Sequence, residues 1–171
     1  MAQQSRVLII SGSMGSGKTT VMGEVSDVLL ADGIRHAAMD LDAVAVHLLP
    51  ESLLAQVHRR NVTAFYDNSK AAGIDRFVVA VAVEGASVLR DLREAFRDAE
   101  ITICRLTAAE ATMAARLRQR EPGIRQGEFV ARSRELECQL SEANLEDFTV
   151  SNDGRNVTEV AKELLVRARW R

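Results

Sequence analysis

One short segment near the start of the chain constrains the fold more than any other feature. Residues 12–19 read Gly-Ser-Met-Gly-Ser-Gly-Lys-Thr and match the phosphate-binding loop pattern G-x-x-x-x-G-K-[ST] at every defined position. The apolar run Arg6–Ser11 before the loop predicts a buried strand, and helically spaced apolar residues from Val21 onward predict a helix. This order of strand, loop and helix makes an anion site, because free backbone N–H groups and the helix dipole favour phosphate.

Each residue type in the loop suits the binding of a nucleoside triphosphate. Glycines allow positive φ and let the backbone approach phosphate oxygens closely. Lys18 is placed to reach the β- and γ-phosphates, and the Thr19 hydroxyl is placed to ligate Mg²⁺. We expect the Lys18 side chain to be exposed rather than packed. The alternative, a glycine-rich turn that only resembles the motif, does not explain the flanking strand and helix. The candidate cofactor-binding residues are Gly12, Ser13, Met14, Gly15, Ser16, Gly17, Lys18, Thr19 and Thr20.

Length, charge and apolar patterning exclude several classes of protein. A chain of 171 residues with 47% hydrophobic content suits one domain, 1–171, with one core. A net charge of −2 argues against a nucleic-acid partner, because binding the phosphate backbone needs a basic surplus. The longest apolar run, Phe77–Val83, is too short to span a bilayer, and no signal peptide precedes the first strand. We therefore expect a cytoplasmic protein without membrane or nucleic-acid partners, present as a monomer or homodimer.

Apolar runs typical of strands alternate with helical patterns along the chain. This alternation predicts a single α/β domain with a parallel sheet covered by helices on both faces. Capping-box spacing at Thr107 and at Asn156 predicts two helix starts, and Gly33 and Gly73 stand where helices should end. The predicted strands are Arg6–Ser11, Arg35–Met39, Phe77–Val83, Ile101–Leu106 and Phe148–Val150.

The region 43–66 lies between the second and third predicted strands and is our candidate acceptor-substrate region. We interpret it as two helices broken near Pro50. An insertion at this place would overhang the strand ends, where ligands bind in open α/β sheets. His47 and His58 are expected to be partly buried helix residues, because no Ser, Cys or metal-ligand partner is spaced to use them.

Two carboxylates stand at the end of the second predicted strand, in Met39-Asp-Leu-Asp42. At this edge of a parallel sheet they would face the same crevice as the phosphate loop. One carboxylate can hold Mg²⁺, and the other can accept a proton from, or orient, the hydroxyl that attacks the γ-phosphate. Asp40 is our candidate on the metal side and Asp42 our candidate base. The alternative role for either residue is to cap the following helix.

An arginine-rich segment at about 116–127 predicts a mobile lid over the phosphates. Its four arginines, Arg116, Arg118, Arg120 and Arg125, surround the Pro-Gly break at 122–123. Arg116 and Arg120 share a helix face, and their guanidinium groups could neutralise charge on the phosphoryl group in transfer. The alternative is a solvated helix end at which arginines are favourable against the helix dipole.

Two further loops carry polar residues with more than one possible role. Asn152, Asp153 and Gly154 follow the last predicted strand and are candidate contacts for the nucleotide base, although Asn-Asp-Gly is equally a turn sequence. Glu84 follows the third predicted strand. It could orient a metal-bound water, contact the acceptor, or cap the next helix.

These motifs, taken in chain order, resemble the small P-loop kinases: shikimate, gluconate and adenylylsulfate kinases and chloramphenicol phosphotransferase. The resemblance implies a five-stranded parallel sheet in the order 2-3-1-4-5, with ATP and Mg²⁺ as cosubstrates. It also implies a lid arginine near Arg120 and a carboxylate near Asp40 or Asp42 at the acceptor. This chain has Val83-Glu84-Gly85 where shikimate kinases have a Gly-Gly-Gly segment, which points away from shikimate itself.

The sequence therefore predicts an ATP-dependent phosphotransferase that moves the γ-phosphoryl group to a hydroxyl of a small metabolite. The alternative is a regulatory or non-catalytic nucleotide-binding protein. GTPase switches share the strand and loop, but they carry Asp-x-x-Gly and Asn-Lys-x-Asp motifs, and neither occurs in this sequence.

Overall fold

The five predicted strands form one parallel sheet, in the order 2-3-1-4-5 that the resemblance implied. The structure is a computed structural model that describes residues 4–44, 50–120 and 123–171. The strands are β1 Arg6–Ser11, β2 Ala37–Asp40, β3 Arg76–Ala80, β4 Glu100–Thr107 and β5 Phe148–Ser151. The helices are α1 Lys18–Ala31, α2 Glu51–Ala71, α3 Ala86–Ala95, α4 Glu110–Arg120, α5 Gln126–Ala143 and α6 Val157–Arg167.

The central strand β1 is buried on both faces, which explains its continuous apolar run. Leu8 and Ile10 pack with α1 and α6 on one face of the sheet. Val7 and Ile9 pack with α2 and α3 on the other. All four side chains are completely buried. Helices on both faces leave the sheet edge at the end of β1 as the place where polar groups can collect.

The chain leaves the sheet earlier after β3 than the apolar pattern predicted. The pairing of β3 with both neighbours ends at Ala80, opposite Ile10 and Asp40. The N–H group of Val83 then donates to the Ser11 hydroxyl at 3.0 Å instead of joining a strand ladder. The predicted strand end at Val83 is therefore wrong by three residues, and Glu84 is carried over the edge of the sheet.

Helix ends follow the sequence signals in part. Gly33 and Gly73 take the left-handed conformation, with φ of 69° and 84°, directly after the C-caps of α1 and α2. Asn156 caps α6, accepting from the N–H of Thr158 at 2.8 Å. The capping box at Thr107 is wrong, because Thr107 still belongs to β4 and α4 begins at Glu110.

Only one helix of the pair predicted within 43–66 can be evaluated. α2 begins directly after Pro50 and continues to Ala71. Residues 41–44 form a turn after β2, and residues 45–49, which include His47, lie outside the described residues. His58 lies half-buried on α2, as predicted.

An aromatic cluster fixes α2 against the sheet. Tyr66 of α2 is completely buried, with its ring centroid 4.8 Å from that of Phe77 and 5.3 Å from that of Phe96. Its hydroxyl donates to Asp98 at 2.5 Å. Burial and this hydrogen bond raise the pKa of Tyr66. The anchored helix can therefore serve as one wall of a pocket at the sheet edge. No helix within the described residues is long and apolar enough to cross a membrane.

The two cysteines should differ sharply in reactivity. Cys104 is buried in β4, where burial raises the pKa of its thiol to about 12, whereas Cys138 is exposed on α5. Since the thiolate is the reactive form, an aromatic disulfide reagent at about pH 8 should modify one thiol in the native protein and two after denaturation. A rapidly reacting thiol in folded Cys138→Ser protein would contradict the burial of Cys104.

Candidate active site

A cavity of about 840 Å³ opens at the carboxyl edge of the sheet and brings together most of the predicted site residues. Its walls come from the phosphate loop, the end of β2, the segment after β3, and helices α4 and α5. The predicted residues that line it are Ser13, Met14, Gly15, Gly17, Lys18, Thr19, Thr20, Asp40, Asp42, Glu84, Arg116 and Arg120.

The phosphate loop requires glycine for both its conformation and its close packing. Gly15 and Gly17 have φ of 84° and 99°. A Cβ atom at Gly15 would lie 2.7 Å from the Met113 carbonyl oxygen, and one at Gly17 would lie 2.4 Å from Asn152 Nδ2. Gly17 is also the N-cap of α1 and supplies no side-chain cap. The first N–H groups of α1 are therefore available to an anion.

Lys18 is buried, so the expectation of an exposed side chain is wrong. Only 7% of the residue is exposed. Its Nζ donates to the carbonyl oxygens of Gly12 at 3.0 Å and Ser13 at 3.4 Å, and it pairs with Asp42 Oδ2 at 3.0 Å. The compact ammonium has three donors, and these three oxygens satisfy them. The side chain thus folds back over its own loop and connects the loop to the end of β2.

Thr19 and Asp40, the two predicted metal ligands, are in direct contact. Thr19 Oγ1 donates to Asp40 Oδ2 at 2.5 Å. Asp40 Oδ1 accepts from the N–H of Asp42 at 3.0 Å and so stabilises the turn after β2. A hydroxyl and a carboxylate are hard oxygen donors that fit Mg²⁺, which takes one or two protein ligands beside substrate phosphates. Within the described ranges, no group of three or more His, Cys, Asp or Glu residues is arranged to hold a metal ion.

Arg116 supports the phosphate loop from behind. Its guanidinium donates to the carbonyl oxygens of Gly15 and Ser16, both at 3.2 Å, and to that of Asn152 at 3.0 Å. This planar group therefore connects the loop to the segment after β5. The structure places Arg116 in the cavity wall with these donors occupied, and its predicted movement over a phosphoryl group stays a prediction.

The loop after β5 also supports the phosphate loop. Asn152 is buried, and its Nδ2 donates to the Ser16 carbonyl at 2.8 Å. Asp153 is exposed, and Gly154 has a left-handed φ of 62°. These three residues are not among those that line the cavity. Residues 153–155 form a bend, in keeping with the turn alternative. The contact of these residues with a nucleotide base stays a prediction.

The other arginines of the predicted lid divide into two groups. Arg120 lines the cavity together with Arg116. The backbone carbonyl of Arg118 accepts a hydrogen bond from Gln126 Nε2 at 3.0 Å. The Arg125 guanidinium forms an exposed ion pair with Glu128 at 2.9 Å. Residues 121 and 122 lie outside the described residues. Closure of the segment 116–127 therefore stays a prediction.

Limited proteolysis tests that closure. Trypsin should cut after Arg118, Arg120 or Arg125 in the free protein, and Mg²⁺ with a non-hydrolysable ATP analogue should slow this cleavage by roughly tenfold or more. Cleavage after Arg35, an exposed residue between α1 and β2 that is away from the lid, followed in the same digest by mass spectrometry, is the internal control. Equal rates with and without ligand would favour the static, solvated helix end.

Sequence reasoning missed one face of α5. Phe129, Arg132 and Leu136 line the cavity, and the Ser133 hydroxyl donates to the Met14 carbonyl at 2.7 Å. Arg132 also donates to Glu84 Oε2 at 3.1 Å across the cavity. Helical spacing places these positions on one side of a helix. Nothing in the sequence indicated that this side faces the phosphate loop.

A second, smaller pocket of about 270 Å³ adjoins the first and shares Asp42, Ala82 and Glu84 with it. It lies between α2 and α3, and part of its wall comes from the candidate acceptor region. The residues of α2 that line it are Ala55, His58, Arg59 and Val62. The acceptor role of this region stays a prediction.

The sheet order, the phosphate loop and the crevice above it define the fold of a P-loop kinase domain. No family model and no curated protein sequence matches the chain. Among solved structures, a gluconokinase from Sinorhizobium meliloti 1021 aligns with a TM-score of 0.65 and 18% identity, covering 98% of this chain and 94% of that one. The Mycobacterium tuberculosis APS kinase in complex with AMPPNP and APS aligns with a TM-score of 0.63 and 15% identity, covering 98% of this chain and 99% of that one.

A third similar structure is the shikimate kinase from Acinetobacter baumannii in complex with shikimate. It aligns with a TM-score of 0.62 and 16% identity, covering 97% of this chain and 94% of that one. The resemblance to the small P-loop kinases is thus confirmed at the level of the fold. The chain has the fold of these kinases over nearly its whole length.

Proposed function

We propose that this protein is an ATP-dependent phosphotransferase that moves the γ-phosphoryl group to a hydroxyl of a small metabolite. The observation that carries the proposal is the position of Asp42. Its carboxylate contacts Lys18 Nζ at 3.0 Å, and it stands in the shared wall of the 840 Å³ cavity and the 270 Å³ pocket. A base that serves both a phosphate site and a neighbouring acceptor pocket is what phosphoryl transfer to a hydroxyl requires.

The phosphate loop would hold the triphosphate of ATP through the N–H groups at the start of α1 and through Lys18. Thr19 and Asp40 would hold Mg²⁺, which supplies charge neutralisation on the β- and γ-phosphate oxygens. Arg120 lines the same cavity and would contact the phosphoryl group during transfer. Arg116 would hold the loop in the geometry that makes this binding possible.

In the transfer step, Asp42 accepts the proton of the acceptor hydroxyl as that oxygen attacks the γ-phosphorus. A new O–P bond forms, and the bond from the γ-phosphorus to the β,γ-bridging oxygen breaks. ADP leaves with the electron pair of that bond. Lys18 remains with the phosphate oxygens and balances the charge that develops on them.

The similar solved structures support this proposal, because each of them is described as a kinase. They are a gluconokinase, an APS kinase in complex with AMPPNP and APS, and a shikimate kinase in complex with shikimate. The rival function, nucleotide binding without transfer, is not favoured by any specific contact in the site. The cytoplasmic location, the absence of a nucleic-acid partner and the monomeric or homodimeric state stay predictions from the sequence.

A screen of hydroxylated acceptors tests the proposed function. We expect ADP release to rise with the right acceptor, and the product to gain one phosphoryl group by mass. The panel should include sugar acids, nucleosides, adenylylsulfate, and aminoglycoside- and chloramphenicol-like compounds. Removal of Mg²⁺ with a chelator should abolish the reaction. If ATP binds but no panel member is phosphorylated, the nucleotide-binding alternative replaces the kinase.

A further inference from the structure

The pocket between α2 and α3 has a wall made mostly of carbon. Leu41, Val81 and Val88 are half-buried, so part of their apolar surface faces this pocket. Val62 and Leu92, which are 3% and 5% exposed, close the wall from the core side. A wall of this kind favours a ligand that removes apolar surface from water. The apolar lining residues are Leu41, Val62, Val81, Val88, Leu92 and the alanines at 55, 82 and 95.

The charged groups around this pocket are predominantly acidic. Among the described residues, three carboxylates line it, those of Asp42, Glu84 and Asp91, against one guanidinium, that of Arg59. Arg59 is already paired with Glu94 of α3 at 3.1 Å. Asp42 and Glu84 are paired as well, with Lys18 at 3.0 Å and with Arg132 at 3.1 Å, so their charges are largely balanced. The negative field that a ligand meets in the small pocket therefore comes mainly from Asp91.

Asp91 is the carboxylate of this pocket that has no ion-pair partner among the described residues. It lies half-buried on α3. An anionic group on a ligand would be repelled by this carboxylate, whereas an ammonium group would pair with it.

His58 adds one hydrogen-bonding group to the pocket. Its Nε2 is buried and has no hydrogen-bond partner among the described residues. Buried polar atoms are nearly always paired, and a neutral imidazole nitrogen can donate or accept. A polar group on a bound ligand would give Nε2 the partner that the protein does not supply.

We propose that this pocket selects an acceptor with an apolar body and no anionic group, that is, a neutral or amine-bearing alcohol. Its reacting hydroxyl lies at Asp42 and its apolar body lies against Leu41, Val81 and Val88. A second polar group bonds to His58. The volume of about 270 Å³ suits a single substituted ring. This inference rests on the proposed transfer to a hydroxyl and specifies its substrate class.

Three alcohols that share one ring and one hydroxymethyl group test the charge preference: benzyl alcohol, 4-(aminomethyl)benzyl alcohol and 4-(hydroxymethyl)benzoate. Their dissociation constants are measured by ligand-observed NMR on the full chain saturated with Mg²⁺ and AMPPNP. The neutral and amine compounds should bind at least about tenfold more tightly than the carboxylate. Tighter binding of the carboxylate, or no binding of any of the three, would overturn the proposal.

Matched variants locate the source of the preference. Asp91→Asn should weaken binding of the amine compound and strengthen binding of the carboxylate compound. The ratio of the amine affinity to the carboxylate affinity should fall by about threefold or more. Asp27→Asn, at an exposed position on α1, is the control and should leave that ratio unchanged. An unchanged ratio in folded Asp91→Asn protein would contradict the electrostatic basis.

A second pair of variants tests the hydrogen bond to His58. His58→Leu should reduce the advantage in affinity of the amine compound over benzyl alcohol to the part that comes from Asp91. His58→Gln should lose less of this advantage, because its amide can still form a hydrogen bond. Equal behaviour of the two variants would contradict a hydrogen bond from His58 to the ligand.

Failure of this inference and failure of the proposed function give different results. Binding to the AMPPNP-saturated protein is measured without turnover. If a carboxylate compound is bound more tightly and phosphorylated, the substrate class is wrong and the transferase stands. If the neutral and amine alcohols bind with the expected preference but yield no phosphorylated product, the pocket assignment stands and the transferase is wrong.

Discussion

Replacing Asp42 by Asn is expected to lower phosphoryl transfer by about 10² to 10⁴-fold, the range usual for a general base. Asparagine keeps the shape of the side chain but cannot accept the proton of the acceptor hydroxyl. ATP affinity should stay the same or rise, because Asp42 competes with the phosphates for Lys18, whose Nζ lies 3.0 Å from Asp42 Oδ2. The expected result is therefore a loss of chemistry without a loss of binding.

This prediction is checked by measuring the dissociation constant of ATP and the rate of product formation in the same preparations. Asp27→Asn is the matched control, because it removes the same carboxylate from an exposed position on α1. Unaltered turnover in Asp42→Asn would eliminate Asp42 as the base. A large loss of ATP affinity would show that Asp42 acts on the nucleotide side instead.

The second large effect is expected for Lys18→Ala, which should reduce kcat/KM for ATP by about 10² to 10³-fold, as loss of a preorganised group that stabilises developing charge does. The substitution removes the single ammonium that reaches both the loop carbonyls and Asp42. The protein should stay folded but with a lower unfolding midpoint. The Asp42 carboxylate, which is about half exposed, can bond to water, whereas the buried carbonyl oxygens of Gly12 and Ser13 lose a donor.

Circular dichroism and the thermal unfolding midpoint separate binding from folding in this experiment. Lys162→Ala, at an exposed position on α6, is the control for loss of a lysine charge. Unchanged ATP affinity and turnover in folded Lys18→Ala protein would remove the basis of the phosphate-site assignment. A collapsed unfolding midpoint would mean that the buried ammonium stabilises the fold rather than the ligand.

Features encoded by neighbouring residues could be predicted from the sequence. The phosphate loop depends on glycines and one lysine at fixed spacing, and β1 depends on a run of residues buried on both faces. The position of Asp40 at the carboxyl edge of the sheet follows from the direction of the strand alone. The Thr19 hydroxyl donates to the Asp40 carboxylate there. Each of these inferences needed only local geometry and the topology of a parallel sheet.

Features that depend on distant packing could not be predicted. Lys18 was expected to be exposed, but its long side chain folds back onto the carbonyl oxygens of Gly12 and Ser13. The bond between Ser133 and Met14 joins residues far apart in the chain. Thr107 has the spacing of a capping box, yet strand pairing with Ser151 keeps it in β4. In each case a tertiary contact decided between locally acceptable arrangements.

The contacts behind the phosphate loop also change its electronic character. The Ser16 carbonyl accepts from the Arg116 guanidinium at 3.2 Å and from Asn152 Nδ2 at 2.8 Å. A peptide unit is planar and trans, so the N–H of Gly17 points away from these donors. Two donors on the oxygen, one of them cationic, withdraw electron density through the amide and make that N–H more acidic. Residues far outside the glycine motif thus tune how strongly one backbone amide can hold an anion.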